Sequence, residues 1–267
     1  MIASLSMYDW PETHAALQVF WGRIQSHLKP VCANVPLQLT HSELQQQWQS
    51  RNLLLSQTCG YPLVTVLPAD SVVVGTLEYD VDAMENGYYA SMLIVNKNDT
   101  RSHITEFQHS TLAYNSEDSQ SGFNCVRNIL AETPETNASR NGFFSRGVRT
   151  GSHRDSIKCV ANGHADICAV DPVSWALAKR HEGACSQVAV FGHTRYSPAL
   201  PLVSSPHSIP VHMSHDQWRS AVQNAVNATI NANTRQELFL KGITYIEKEQ
   251  YLKEPITDDR IVQNSNK

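Results

Sequence analysis

Apolar runs of strand length alternate with helix-patterned segments from the first residue of this chain, and that alternation narrows the fold more than any motif does. The runs are Ile2–Met7, Asn52–Ser56, Val72–Leu77, Ala90–Val95, Leu112–Tyr114, Ile167–Val170 and Val188–Phe191. Between them, Leu17, Phe20, Trp21, Ile24 and Leu28 recur at helical spacing, with Pro11 placed to open the helix. Ser42–Trp48 reads as a short helix, and Phe123, Val126 and Leu130 mark one face of another. Strand, loop and helix in repetition imply parallel α/β sheets, with ligand loops gathered at the carboxyl ends of the strands.

Capping chemistry places further boundaries. Ser152 and Asp155 form an S-x-x-D box, Ile157 and Val160 supply the apolar side of that helix, and Gly163 stops it. Asp171-Pro172 opens the next helix, which runs through Leu177. A last long helix spans Asp216 to Ile230, with Trp218, Ala221, Val222, Ala225 and Val226 facing inward. The polar stretch Thr133–Arg149 reads as a loop or irregular helix, and the tail after Asp258 as frayed. No internal repeat or low-complexity tract is present.

Composition limits the function classes. In 267 residues, 41% are hydrophobic and 17% charged, enough for one large or two medium cores. A net charge of −4 gives no support for a nucleic-acid or anionic-membrane partner, so a bound anion has to be held by local geometry. No run approaches the ~18 apolar residues of a membrane-spanning helix, so no membrane insertion is expected. MIASLSMYDWPE lacks a basic region followed by an apolar one, which leads to the expectation of no signal peptide and a cytoplasmic address. Six scattered cysteines without a CxxC read as buried thiols rather than a disulfide framework.

Three strand-to-helix loops carry groups suited to chemistry. The first, Asn115 to Gly122, brings Ser119, Ser121 and Gly122 to a helix start, where backbone N–H groups lack internal partners and the macrodipole favours an anion. The plainer reading is a serine N-cap in a polar turn. The second, Thr150-Gly151-Ser152-His153-Arg154, presents His153, which could equally be an exposed histidine in a capping turn. The third ends in Asp171, either an N-cap for the Pro172 helix or an acceptor for a ligand hydroxyl, a protonated phosphate oxygen or an ammonium group. Two loops in the first half, Tyr8-Asp9 and Gln57 to Tyr61, complete the set.

Taken in order, MYD, LLSQTCGYP, YNSEDSQSG, TGSHRDS and ADICAVDPVSWAL resemble the phosphate, phosphite and phosphonate substrate-binding proteins of ABC transporters. The resemblance spans roughly residues 3–200. It implies the type 2 periplasmic-binding-protein fold: two α/β lobes, each a mainly parallel sheet flanked by helices, joined by two crossing segments, with a small oxyanion clamped between them. Lobe one would comprise residues 1–88 and 194–267, and lobe two residues 89–193. By position, Ser119, Ser121 and Gly122 match the family's phosphoryl-binding loop, His153 its GSH-turn histidine and Asp171 its acidic residue. Tyr8, Thr58, Tyr89 and Asn115 stand at its further ligand positions. The resemblance implies a non-enzymatic, monomeric protein without cofactor or metal, with an ABC-transporter permease as candidate partner. It also implies an exported protein, so a periplasmic address is the alternative to the cytoplasmic one.

Other readings carry less. A Ser–His–Asp hydrolase would use Ser119 or Ser121 with His153 and Asp171, but no G-x-S-x-G elbow is present. The cysteine-rich motif of thiamine-pyrimidine synthases of the same fold is missing. His207, His212 and His215 lie in a proline-rich stretch without a metal-ligand pattern and read as solvated. A cytoplasmic ligand sensor would share the pocket and differ only in its partner.

Overall fold

A computed structural model describes residues 1–137, 139–256 and 259–266, with the side chains of 264–266 left undescribed. The chain begins β1 (Ile2–Ser4), α1 (His14–Leu28), α2 (Leu44–Trp48), β2 (Leu53–Gln57), α3 (Gly60–Thr65), β3 (Val72–Tyr79), β4 (Met84–Glu85) and β5 (Tyr88–Tyr89). It continues with β6 (Met92–Asn96), β7 (Thr111–Tyr114), α4 (Cys125–Glu132), α5 (Pro134–Asn137), β8 (Phe144–Arg149), α6 (His153–Ala161), β9 (Ile167–Val170), α7 (Pro172–His181) and β10 (Val188–His193). The remainder is β11 (Ser197–Pro198), β12 (Pro201–Ser204), α8 (His215–Thr229), α9 (Ala232–Leu238), β13 (Leu240–Thr244), α10 (Lys248–Leu252) and β14 (Val262–Asn266).

Two compact units result. The first comprises Met1–Tyr88 and Pro198–Lys253; the second comprises Tyr89–Ser197 and the segment from Glu254 onward. The sheet of the first unit has the order β1-β2-β12-β3-β13. β1 and β2 pair in parallel, while β12 runs antiparallel to β2 and β3, and β13 antiparallel to β3. β2 is buried along its whole length, so its LLLSQ run is continuous rather than alternating. α1 buries Leu17, Phe20, Trp21, Ile24 and Leu28 and packs against α8 and α9. Three buried tryptophans keep their ring N–H groups satisfied: Trp21 donates to the Pro36 carbonyl at 3.1 Å, Trp48 to Ser56 at 3.2 Å and Trp218 to Ser204 at 2.9 Å.

The second unit's sheet has the order β10-β6-β9-β7-β8-β14. β9, β7, β8 and β14 pair in parallel, and β6 runs antiparallel to both β10 and β9. Its core includes Phe107, Leu112, Phe123, Leu130, Phe144 and Ile261, each essentially closed to solvent. The expected α/β architecture is present, with both sheets mixed.

Several local expectations are corrected. β1 ends at Ser4, and a 3-10 turn, Ser6–Tyr8, follows it. Pro11 lies in a turn and α1 starts at His14, because the Thr13 hydroxyl donates to the Tyr8 carbonyl and accepts from the Trp10 N–H. The stretch expected to be irregular contains the strand β8, and the proline-rich stretch contains β12, with Pro201 at its first residue. The tail after Asp258 is not frayed along its described length: Val262–Asn266 pairs in parallel with β8, and Ile261 is fully buried. That pairing puts the chain's end with the second unit rather than with lobe one. The return passage falls at Ser197/Pro198 rather than at residue 194.

Candidate functional site

The site is built where β7, β8 and β9 of the second unit end. β7 and β8 pair in parallel, so the loops that leave them lie side by side. Two hydrogen bonds lace those loops: Thr150 N–H donates to the Tyr114 carbonyl at 2.8 Å, and Gly151 N–H to the Asn115 carbonyl at 3.1 Å. Gly151 has φ +85°, a left-handed conformation that glycine adopts without cost.

The serine loop closes as a π-helical turn, Gln120–Asn124, that runs into α4. Such turns cluster at functional sites because they re-aim the first residues of a helix. Ser119 caps it, its Oγ accepting from Gly122 N–H at 3.0 Å. Asn124 ties the turn from inside, donating to the carbonyls of Glu117 and Ser119 at 3.0 Å each. Ser119 is therefore committed to the cap. Ser121, four residues before the Cys125 thiol that donates to its carbonyl, keeps its hydroxyl for another partner.

That partner is His153, whose Nε2 lies 2.9 Å from Ser121 Oγ. His153 is held at the start of α6 by Ser152, which caps the helix by accepting from Asp155 N–H at 3.0 Å. The same Nε2 lies 3.4 Å from Asp171 Oδ2. The other oxygen, Oδ1, caps α7 by accepting from Val173 N–H at 3.0 Å and Ser174 N–H at 2.9 Å. The N-cap reading of Asp171 therefore holds for Oδ1, and Oδ2 is left facing His153. A carboxylate facing Nε2 selects the tautomer with its proton there. Nδ1 is buried and makes no hydrogen bond of ordinary geometry among the described residues, with only a weaker interaction with the Ala169 backbone. Burial pushes the His153 pKa below its ordinary value; Asp171 and then the Ala169 backbone act in the opposite direction without overcoming it.

Asn115 and Gly122 meet above this cluster. A Cβ built on Gly122 would fall 1.9 Å from Asn115 Oδ1 and 3.0 Å from His153 Cε1, so a side chain at that position collides with the site. Asn115 Oδ1 is itself buried without a hydrogen-bond partner among the described residues. So is Gln120 Nε2, on a side chain that sequence reasoning passed over. Buried polar atoms left without partners cost roughly 1–3 kcal/mol each. Nothing in the sequence separates Gln120 from a surface residue of the turn.

The remaining expected residues divide between the two units. Tyr8 and Thr58 belong to the first unit. Tyr8 packs edge-on against Tyr79, ring centroids 5.3 Å apart, and Gln57 donates to the Tyr79 hydroxyl at 3.3 Å. Thr58 is fully buried, its N–H given to the Pro201 carbonyl at 3.0 Å and its hydroxyl to the Cys59 carbonyl at 3.3 Å. Tyr89 is buried in β5. His207, His212 and His215 do not gather as a metal-ligand group among the described residues.

Residues 72–247, more than half of the chain, match the family described as the periplasmic substrate-binding protein of the phosphonate ABC transporter. No curated protein matches the chain at the level of sequence. Among solved structures, PhnD1 from Prochlorococcus marinus in complex with methylphosphonate is similar with a TM-score of 0.66 and 15% identity, over 94% of both chains. The ATP-bound XAC2383 protein from Xanthomonas citri gives a TM-score of 0.62 and 12% identity, again over 94% of both. A binding-protein component of an ABC phosphonate transporter from Pseudomonas aeruginosa gives 0.60 and 15%, over 94% of this chain and 83% of that one. At these identities the likeness is one of fold.

Proposed function

The chain belongs to the phosphonate-binding family of ABC-transporter periplasmic substrate-binding proteins, and from that premise we propose that the cluster of Ser119, Ser121, Gly122, His153, Asp171 and Asn115 holds the oxyanion of a phosphoryl-type ligand. It is a solute-binding protein. Ser119 shapes the turn, Ser121 and the first N–H groups of the turn donate to the anion, and His153 donates from Nε2. Asp171 accepts from a proton or a positive group on the ligand. Tyr8, Thr58 and Tyr89 are proposed as further ligand contacts.

One observation carries the reading: Ser121 Oγ, His153 Nε2 and Asp171 Oδ2 converge at 2.9 and 3.4 Å beside a helix start. The convergence does not favour a hydrolase. In a relay triad the carboxylate holds Nδ1–H and leaves Nε2 free to take the serine proton. Here Asp171 faces the nitrogen that also faces Ser121, so the imidazole is set as a donor and the serine is not activated. No hydrolysis of phosphate or carboxylate esters is expected.

The test is titration calorimetry with methylphosphonate, inorganic phosphate and sulfate. Methylphosphonate and phosphate, which carry a proton near neutral pH, should bind more tightly than sulfate, which does not. Asp171→Asn should narrow that preference by about tenfold, as expected from removing one buried charged acceptor. No heat with any of the three, at concentrations up to millimolar, would sink the proposal. A preference unchanged in Asp171→Asn would leave Asp171 a helix cap only.

The small-ligand role is a property of the family, and a permease partner for this chain is part of the proposal. Among the described residues no helix is long and apolar enough to cross a membrane. Family members are described as periplasmic. A periplasmic address is therefore proposed, with a cytoplasmic one as the alternative. Fractionation of expressing cells decides between the two compartments.

A further inference from the structure

We propose that Asp9, His14 and His41, in the first unit, form a binding site for a divalent transition cation of the zinc type. Asp9 presents its two oxygens to two different imidazoles: Oδ1 is 2.9 Å from His14 Nδ1, and Oδ2 is 3.3 Å from His41 Nδ1. One ligand atom from each of the three residues lies within 4.8 Å of those from the other two. Two ligands bound tetrahedrally to zinc at about 2.0–2.1 Å stand about 3.3 Å apart. The two histidine–carboxylate distances are thus already near the spacing that one ion would impose.

The backbone holds each ligand in place. The Asp9 loop is pinned by Thr13, whose hydroxyl donates to the Tyr8 carbonyl and accepts from Trp10 N–H. His14 opens α1, five residues after Asp9. His41 arrives from a separate segment, fixed because Thr40 N–H donates to the Ala3 carbonyl at 2.7 Å, next to β1. The carboxylate is buried, 8% exposed, while the imidazoles are about half exposed at 49% and 45%. An ion there would have three protein ligands and an open position toward water, the arrangement of a zinc site that keeps one exchangeable ligand.

Two imidazole nitrogens and one carboxylate suit zinc and its neighbours in the first transition row. They do not suit magnesium or calcium, which take oxygen ligands. The helix start under His14 opposes a cation by a few tenths to about 1 kcal/mol. The Asp9 charge at the centre of the cluster offsets that. The plainer account, two imidazoles hydrogen-bonded to one carboxylate, explains each pair separately. It does not require both nitrogens to converge. This inference is independent of the proposed anion site.

The experiment is titration calorimetry of the chelator-treated full chain with zinc chloride, compared with His14→Gln and His41→Gln. Both substitutions fall on half-exposed side chains and leave the buried Asp9 in place. Cobalt(II) chloride, followed by its visible absorption, gives a second readout that reports ligand geometry. One zinc per chain with micromolar affinity is expected, weakened about tenfold or more in either variant, together with a cobalt spectrum that each variant loses. Magnesium chloride should give no binding. Zinc binding of unchanged affinity and stoichiometry in both variants, or none in the parent protein, would overturn the proposal.

Discussion

Gly122 is the position at which the serine turn tolerates a side chain least. In an ordinary helix, glycine to alanine gains about 0.5–1 kcal/mol by restricting the unfolded chain. Here the added methyl would fall 1.9 Å from Asn115 Oδ1, so Asn115 has to leave its place before the change can be accommodated. Gly122→Ala is expected to lose about 1–3 kcal/mol by denaturant unfolding, the range for overpacking, and to weaken anion binding. A variant that gained stability and kept its affinity would show that Asn115 is not held where the structure puts it. His153 contributes in the pH dimension. Its folded pKa is held below the ordinary value by burial, so in the unfolded chain it takes a proton that the folded chain refuses. Above about pH 6.5 both states are neutral and nothing is lost; as pH falls below that, the unfolded state gains and stability drops. Urea midpoints at pH 7.5 and 5.5 should therefore converge in His153→Gln relative to the parent. An identical pH slope in the two proteins would remove His153 as the cause. That Ser119, Ser152 and Asp171 cap helices is legible in the sequence, because capping residues announce helix starts. The sharing of Nε2 between Ser121 and Asp171 was not legible, since ring orientation is decided by packing around α6 and α7. The burial of Gln120 was hidden for the same reason.

At the scale of elements, β8 and β14 show where sequence patterning stops being informative. FSRGVR buries only Phe144 and Gly147, and glycine carries no hydrophobic signal. Gly147 is nevertheless demanded by its neighbours, since a Cβ there would meet Val262 at 2.8 Å and Tyr114 at 2.9 Å. β14 reads as a polar tail because it is an edge strand, and an edge strand is paired along only one side. The long buried runs β2 and β9 were legible for the opposite reason, being apolar on both faces. What anchors β14 is Ile261, fully buried in the core of the second unit beside Phe143 and Phe144. Gly142 N–H and Phe144 N–H donate to the carbonyls of Arg260 and Ile261, so the anchor is tied by backbone as well as by packing. Ile261→Ala should cost about 2–5 kcal/mol in unfolding experiments, as other buried large-to-small changes do. A loss below half a kilocalorie would mean that the strand is an ornament on an already complete sheet.

For the molecule as a whole, the decisive feature is that each unit is assembled from two separate stretches of chain. The alternation of strands and helices predicts α/β sheets, and the family resemblance implies their division into two lobes. It cannot assign the final segment, because that choice depends on which edge strand, β8 or one in the other sheet, is free to accept a partner. Two cores imply two possible unfolding transitions, and a ligand can stabilise only the unit that holds it. The proposed anion cluster draws all of its side chains from the second unit. Saturation at a hundred times Kd stabilises the binding unit by about 2.7 kcal/mol, which for a domain of this size moves its melting temperature by several degrees. Ile261→Ala lowers the transition of the second unit and so identifies it in calorimetry; Trp218→Phe, on α8, does the same for the first. Methylphosphonate should then raise the transition that Ile261→Ala marks by more than the other, to which only Tyr8 and Thr58 would contribute, and Ser121→Ala should abolish that rise. A ligand shift confined to the transition marked by Trp218→Phe would place the anion on the first unit. The serine turn, His153 and Asp171 would then be a network of helix caps and nothing more.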